Sequence, residues 1–193
     1  MSTPKILAFS GSARKDSFNQ RLVENAAAAA TAAGAEVTII NLGDFPMPLM
    51  DQDLERDHGE PEHATRLKKL FIEHDGFLIA SPEYNSSISP LLKNALDWVS
   101  RQVDDEPAAV AYKGKTAALF SASPGRLGGI RGLVHVRSIL NTLGTLVLAE
   151  QGSVSSAFSA FDEDGKLSNQ SDADRVSDVA KQLVETLTRL AAD

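Results

Sequence analysis

The sequence predicts an α/β fold, a doubly wound five-stranded parallel sheet, and two observations carry that reading. Five short apolar, β-rich runs lie at 5–10, 36–42, 76–81, 116–121 and 145–150. Most of them lack strict apolar–polar alternation, as strands covered on both faces do. Segments of helical pattern separate them, and such alternation builds a parallel sheet with right-handed crossovers.

Each element has its own local reason. The first run, Lys5-Ile6-Leu7-Ala8-Phe9-Ser10, leads into a helix over 19–33, where the alanines at 26–30 are the best helix formers rather than low-complexity chain. Gly34 stops that helix and the second strand follows. Pro46 and Pro48 make 43–59 an irregular stretch, and loops of that length in so small a domain are functional or lie at an interface. A helix over 62–74 precedes the third strand. The next helix, 89–101, carries Pro90 in its first turn. A second irregular stretch, 103–114, contains Pro107. The fourth strand, a helix over 129–143 stopped by Gly144, the fifth strand, a turn at Asp162-Glu163-Asp164-Gly165 and a helix over 172–191 complete the chain.

A chain of 193 residues suits one domain with a substantial core, so 1–193 is read as a single domain. No apolar run reaches the roughly 18 residues of a membrane span. Met1-Ser2-Thr3-Pro4-Lys5 runs straight into a strand and leaves no room for a signal peptide. Cysteine is absent, which fits a reducing compartment and excludes thiol catalysis, disulfides and iron–sulfur clusters, so a cytoplasmic location is expected. A net charge of −7 argues against general nucleic-acid or membrane-surface binding.

Three suggestive motifs fail on spacing. Gly114-Lys115-Thr116 resembles the end of a phosphate-binding P-loop, but Ala109 stands where the first glycine belongs and a strand follows instead of a helix. The 162–165 turn lacks the distal glutamate of a calcium loop. His58, His63, His74 and His135 show no zinc-ligand spacing, and no metal site is expected.

Ligands of open α/β sheets bind beyond the carboxyl ends of the strands. Three loops lie there. After the first strand, Ser10-Gly11-Ser12-Ala13-Arg14-Lys15-Asp16-Ser17-Phe18-Asn19 opens the Ala-rich helix. A helix start offers free N–H groups and the positive dipole end, Gly11 allows a sharp turn, the hydroxyls add donors, and Arg14 adds a fork suited to phosphate. Ser and Asn also favour helix caps for reasons unrelated to ligands. After the third strand, Ser81-Pro82-Glu83-Tyr84-Asn85-Ser86-Ser87-Ile88-Ser89-Pro90 makes a stiff, shaped frame for a planar ligand, or simply a helix-entry loop. The third, Ser121-Ala122-Ser123-Pro124-Gly125-Arg126-Leu127-Gly128-Gly129, lets backbone approach a ligand closely, or is a flexible connection.

Gly11-Ser12-x-Arg14-x-x-Ser17-x-Asn19, followed by Ser81-Pro82-Glu83-Tyr84-Asn85 and Leu92-Lys93-Asn94-Ala95-Leu96-Asp97-Trp98, resembles the NAD(P)H-dependent FMN reductase family, which includes quinone, chromate and azo reductases. The 121–129 loop is also similar to it. The resemblance implies a flavodoxin-like fold with strand order 2-1-3-4-5, FMN as cofactor and NADPH or NADH as reductant. It implies that Ser12, Arg14, Ser17, Phe18 and Asn19 hold the FMN phosphate. Pro82, Glu83, Tyr84 and Asn85 would frame the isoalloxazine, with Ser121, Ser123 and Gly125 completing the pocket. The partner is then a small-molecule electron acceptor: a quinone, azo compound, metal oxyanion or free flavin. An alternative is a flavodoxin-like electron carrier with no substrate of its own. The apolar, Pro-bearing loop 45–50, with the resemblance, leads to a homodimer or homotetramer. The site loops hold no histidine, no cysteine and no metal-ligand spacing, so no catalytic acid, base or nucleophile is expected, and Glu83 and Tyr84 are expected to act by shape. Trp98 and its helical neighbours Leu92, Ala95, Leu96 and Val99 read as core, with Lys93 and Asp97 paired on the surface.

Overall fold

A computed structural model describes residues 2–102, 105–107 and 109–192. Its sheet is parallel throughout, in the order β2-β1-β3-β4-β5. The strands are β1 (Lys5–Ser10), β2 (Glu36–Asn41), β3 (Gly76–Ala80), β4 (Thr116–Ala122) and β5 (Leu146–Val154). The helices are α1 (Phe18–Ala32), α2 (Gln52–His58), α3 (Glu62–Glu73), α4 (Pro90–Val99), α5 (Ile130–Thr142) and α6 (Gln170–Leu190). The doubly wound architecture and its strand order match the expectation.

Successive strand residues point to opposite faces, and here each face meets a different helix layer. Ile6, Ala8, Leu78, Ala80, Ala118 and Phe120 pack with the buried faces of α1 and α6. Leu7, Phe9, Phe77, Ile79, Ala117 and Leu119 pack with α3, α4 and α5. The central strands β3 and β4 are buried at every residue, which explains their continuous apolar reading.

Two elements depart from the sequence reading. The stretch 43–59 is not wholly irregular: a 3-10 turn at Leu42–Asp44 and α2 lie within or across it. The Asp51 side chain caps α2 by accepting from the amides of Asp53 and Leu54. Pro48 is held against α4, since its carbonyl accepts from Trp98 Nε1 at 2.8 Å and Asn94 Nδ2 at 2.9 Å. Trp98 is fully buried core, as expected, and Lys93 pairs with Asp97 at 2.6 Å. Strand β5 also runs to Val154, beyond the expected end at 150. In the stretch 103–114, residues 103, 104 and 108 lie outside the described residues, and 105–107 and 109–114 form turns and irregular chain.

Candidate cofactor cleft

The first and third strand-end loops converge because β1 and β3 are neighbours in the sheet. The Gly11 amide donates to the Ala80 carbonyl at 2.9 Å, and the Ser89 hydroxyl donates to the Gly11 carbonyl at 2.6 Å. Gly11 is there for closeness, not for the sharp turn the sequence suggested. Its φ is not positive, but a Cβ on it would sit 3.0 Å from Pro82 Cδ and 3.1 Å from Leu92 Cβ.

Together the loops enclose a cavity of about 260 Å³ lined by Ser12, Arg14, Ser17, Phe18, Asn19, Pro82, Glu83, Tyr84 and Ser123. Nine of the twelve expected site residues therefore come together. Ala122, Pro124 and Phe158 also line the cavity, and the sequence reading assigned none of these three a role there.

The α1 end of the cavity is rich in donors. Ser12 and Ser17 are buried, and their oxygens accept from the Arg14 amide at 3.4 Å and the Gln20 amide at 3.2 Å. Among the described residues neither hydroxyl proton has an acceptor, so each can be donated to a ligand. The first amides of α1, those of Phe18 and Asn19, have no intrahelical acceptor and add the positive end of the helix dipole. Arg14 is exposed and pairs with no carboxylate among the described residues. The buried Asn19 side chain is committed elsewhere: its amide donates to the Ala122 carbonyl and its oxygen accepts from the Ala122 amide, both at 2.9 Å. Asn19 lines the cavity while its side chain fixes the loop after β4.

Glu83 is also committed. Its side chain is only 8% exposed, and it accepts from the Arg131 guanidinium, the Arg131 amide at 3.0 Å and the Gly132 amide at 3.2 Å. Gly129 begins α5 with no side chain to cap it, and Glu83 supplies the missing acceptor. Burial pushes the Glu83 carboxyl up, but those hydrogen bonds and the Arg131 charge outweigh it and hold the pKa below the usual value. Tyr84 is 48% exposed at the cavity mouth. Asn85 does not line the cavity; with φ of 51° and Ser86 at 67°, it forms the two-residue turn closed by the Tyr84–Ser87 backbone pair.

Ser121 and Gly125 do not line the cavity either. The buried Ser121 hydroxyl donates to the Gly128 carbonyl at 2.6 Å, and the Gly125 amide donates to Ser123 Oγ at 3.2 Å. Both shape the third loop from within.

The donor set fits a ligand with an anionic end. Two hydroxyls, the free amides of the α1 start and one guanidinium line the cleft together with the apolar surface of Pro82, Tyr84 and Phe158.

The comparisons with known proteins agree with this geometry. The pattern of the NADPH-dependent FMN reductase family matches residues 4–159. An NAD(P)H-dependent FMN reductase of Pseudomonas aeruginosa is 32% identical over 94% of this chain and 89% of its own. A quinone reductase of Escherichia coli is 34% identical over 75% of this chain and 73% of its own. Among solved structures, the flavoenzyme NAD(P)H:(acceptor) oxidoreductase FerB of Paracoccus denitrificans superposes with a TM-score of 0.82 at 27% identity, covering 97% of this chain and 98% of that one. A flavodoxin from the domain Archaea, at 10% identity and a TM-score of 0.65, shares the fold. With its strand order, its donor-rich helix start and these matches, the chain belongs to the NADPH-dependent FMN reductase family of oxidoreductases.

Proposed function

We propose that residues 1–193 act as one FMN-binding domain. On this reading the protein is an NAD(P)H-dependent oxidoreductase that passes two electrons to a quinone, azo compound, metal oxyanion or free flavin. The observation that carries the reading is the pair of buried serines, Ser12 and Ser17, whose hydroxyl protons remain available beside Arg14. Quinones lead the acceptors because similar proteins of Escherichia coli and Arabidopsis thaliana are named for quinone reduction. The chain has no cysteine, in keeping with work in the cytoplasm.

When bound, FMN supplies the hydride chemistry. The chain's residues bind, orient and frame. Ser12, Ser17, Arg14 and the first amides of α1 would hold the 5′-phosphate through charge-assisted hydrogen bonds. Pro82 and Tyr84 would flank the ring system. Glu83 keeps its charge and its partners at α5, so it holds the frame and moves no proton. Tyr84 is half exposed beside the cavity, and a flavin held there and reached in turn by reductant and acceptor would give ping-pong kinetics.

The test is steady-state oxidation of NADH and NADPH by FMN-loaded protein against a panel of quinones, azo dyes, ferric salts and chromate. Turnover with at least one acceptor, in parallel-line kinetics, is expected. FMN binding without NAD(P)H oxidation would instead make the protein an electron carrier.

A further inference from the structure

Phe158 lies on the chain between β5 and α6, far in sequence from the loops that frame the cleft. The backbone on either side of it is nonetheless anchored. Ala157, buried in the core between the sheet, α1 and α6, donates its amide to the Ser123 carbonyl at 3.2 Å. Ser123 in turn donates its amide to the Val154 carbonyl at 3.0 Å. Ser156, at a φ of 53°, starts a tight turn closed by the Ser159 amide on the Ser156 carbonyl at 2.9 Å. The Phe158 ring meets Phe18 edge to face, 5.4 Å between centroids at 89°, and Phe18 stacks parallel on Phe161. Yet Phe158 is 82% exposed while it lines the cleft.

A single exposed ring is common on protein surfaces, but this one lines a cavity, where a ligand can cover it. A fixed apolar ring facing water has surface to lose only when a ligand packs on it, and a ring with two side-chain torsions, already oriented, loses little entropy when that happens. Phe158 and the Pro82–Tyr84 frame both contribute apolar surface to one cavity, whose polar lining includes Ser12, Arg14 and Ser17. Ser12, Arg14 and Ser17 offer polar atoms to a phosphate, whereas the Phe158 side chain has none and can pack only against the uncharged part of a ligand.

We propose that Phe158 is an apolar wall that keeps FMN resident in the cleft, so that the flavin exchanges slowly and works as a bound cofactor rather than leaving after each turnover. The proposal rests on the reading of the cleft as an FMN site. It assigns Phe158 a positioning role toward the parts that FMN and riboflavin share.

The experiment measures flavin dissociation rates from the loaded full-length protein, by recovery of flavin fluorescence after dilution, for FMN and for riboflavin. Phe158→Ala is expected to release both flavins at least about tenfold faster. Phe158→Trp should stay within about threefold of the original protein, since a larger aromatic keeps the wall. Circular dichroism and the melting temperature of both variants in flavin-free form should be unchanged, because so exposed a ring contributes little to the core. A Phe158→Ala rate within about twofold of the original, for both flavins, would overturn the proposal. So would a faster release confined to FMN, which would mean that Phe158 acts through Phe18 on the phosphate loop. Failure of the unaltered protein to hold either flavin is a different outcome: it removes the FMN reading of the cleft and this proposal with it.

Discussion

Asn19 and Ala122, 103 residues apart, are joined by a closed pair of hydrogen bonds, the Asn19 side-chain amide to the Ala122 carbonyl and the Ala122 amide to the Asn19 side-chain oxygen, both 2.9 Å and buried. The pair ties the start of α1 to the end of β4, and so sets the separation between the loop after β1 and the loop after β4. Asn19→Ala leaves both backbone groups of Ala122 without partners in a buried site. A loss of about 2–3 kcal/mol is expected, read as a fall in melting temperature of roughly 5–10 °C. FMN affinity should fall with it, although the side chain reaches no ligand. An unchanged melting temperature would show that the pair does not hold the loops.

Glu83 gives a pH-dependent signature. Its carboxyl sits below its ordinary pKa in the folded protein, so its contribution is complete above the unfolded value, about 4.3, and is lost as pH falls through the lower folded value. Glu83→Gln removes the charge that Arg131 and the α5 amides bind. The variant should be less stable by about 1–3 kcal/mol at pH 7, with the gap closing as pH falls below about 4. Paired denaturation curves at pH 7 and in acid check this. A gap that persists undiminished in acid would contradict it.

Tyr84 is half exposed at the mouth, and no hydrogen bond to its hydroxyl is found among the described residues. Tyr84→Phe in FMN-saturated enzyme should therefore keep kcat within about threefold, since loss of a true proton donor costs about 10²–10⁴. A thousandfold drop in kcat with FMN retained would make Tyr84 a proton donor.

Apolar side chains remain uncovered on one copy of the chain. Leu49, at the tip of the Pro-bearing loop, is 76% exposed, and Leu127 and Val134 are exposed at and near the start of α5. A homodimer or homotetramer would cover them. Light scattering at micromolar concentration should return a multiple of 20.6 kDa, and a single-chain mass would count against it.

The sheet was legible in the sequence because β3 and β4 are apolar at nearly every position, as a doubly covered sheet demands. The end of β5 was not, because Gly152 and Ser153 look like a turn. Gly152 is there for space: a Cβ on it would meet Phe120 Cδ1 at 2.7 Å. Helix α2 has no buried residue and hence no apolar periodicity; its signals were the Asp51 cap and Gly59 with φ of 77°. The two motif-bearing loops gave most of the cleft, since their residues are contiguous. Which side chains turn inward was not readable. Asn19 and Glu83 spend their polar atoms on Ala122 and α5, and Ser121 bonds Gly128, because these partners are set by tertiary packing. Phe158 was missed for the same reason: only the return of the chain after β5 brings it beside Phe18.

The central claim is that the cleft recognises FMN through its 5′-phosphate at residues 12–19, and paired titrations of FMN and riboflavin into the flavin-free protein and its Arg14→Ala variant test it most directly. Riboflavin should bind the unaltered protein at least about tenfold more weakly than FMN, a difference of about 1.4 kcal/mol. Arg14→Ala should weaken FMN by a similar factor and leave riboflavin unchanged. Equal affinity for the two flavins, or an Arg14→Ala variant that binds FMN as tightly as before, would contradict the account.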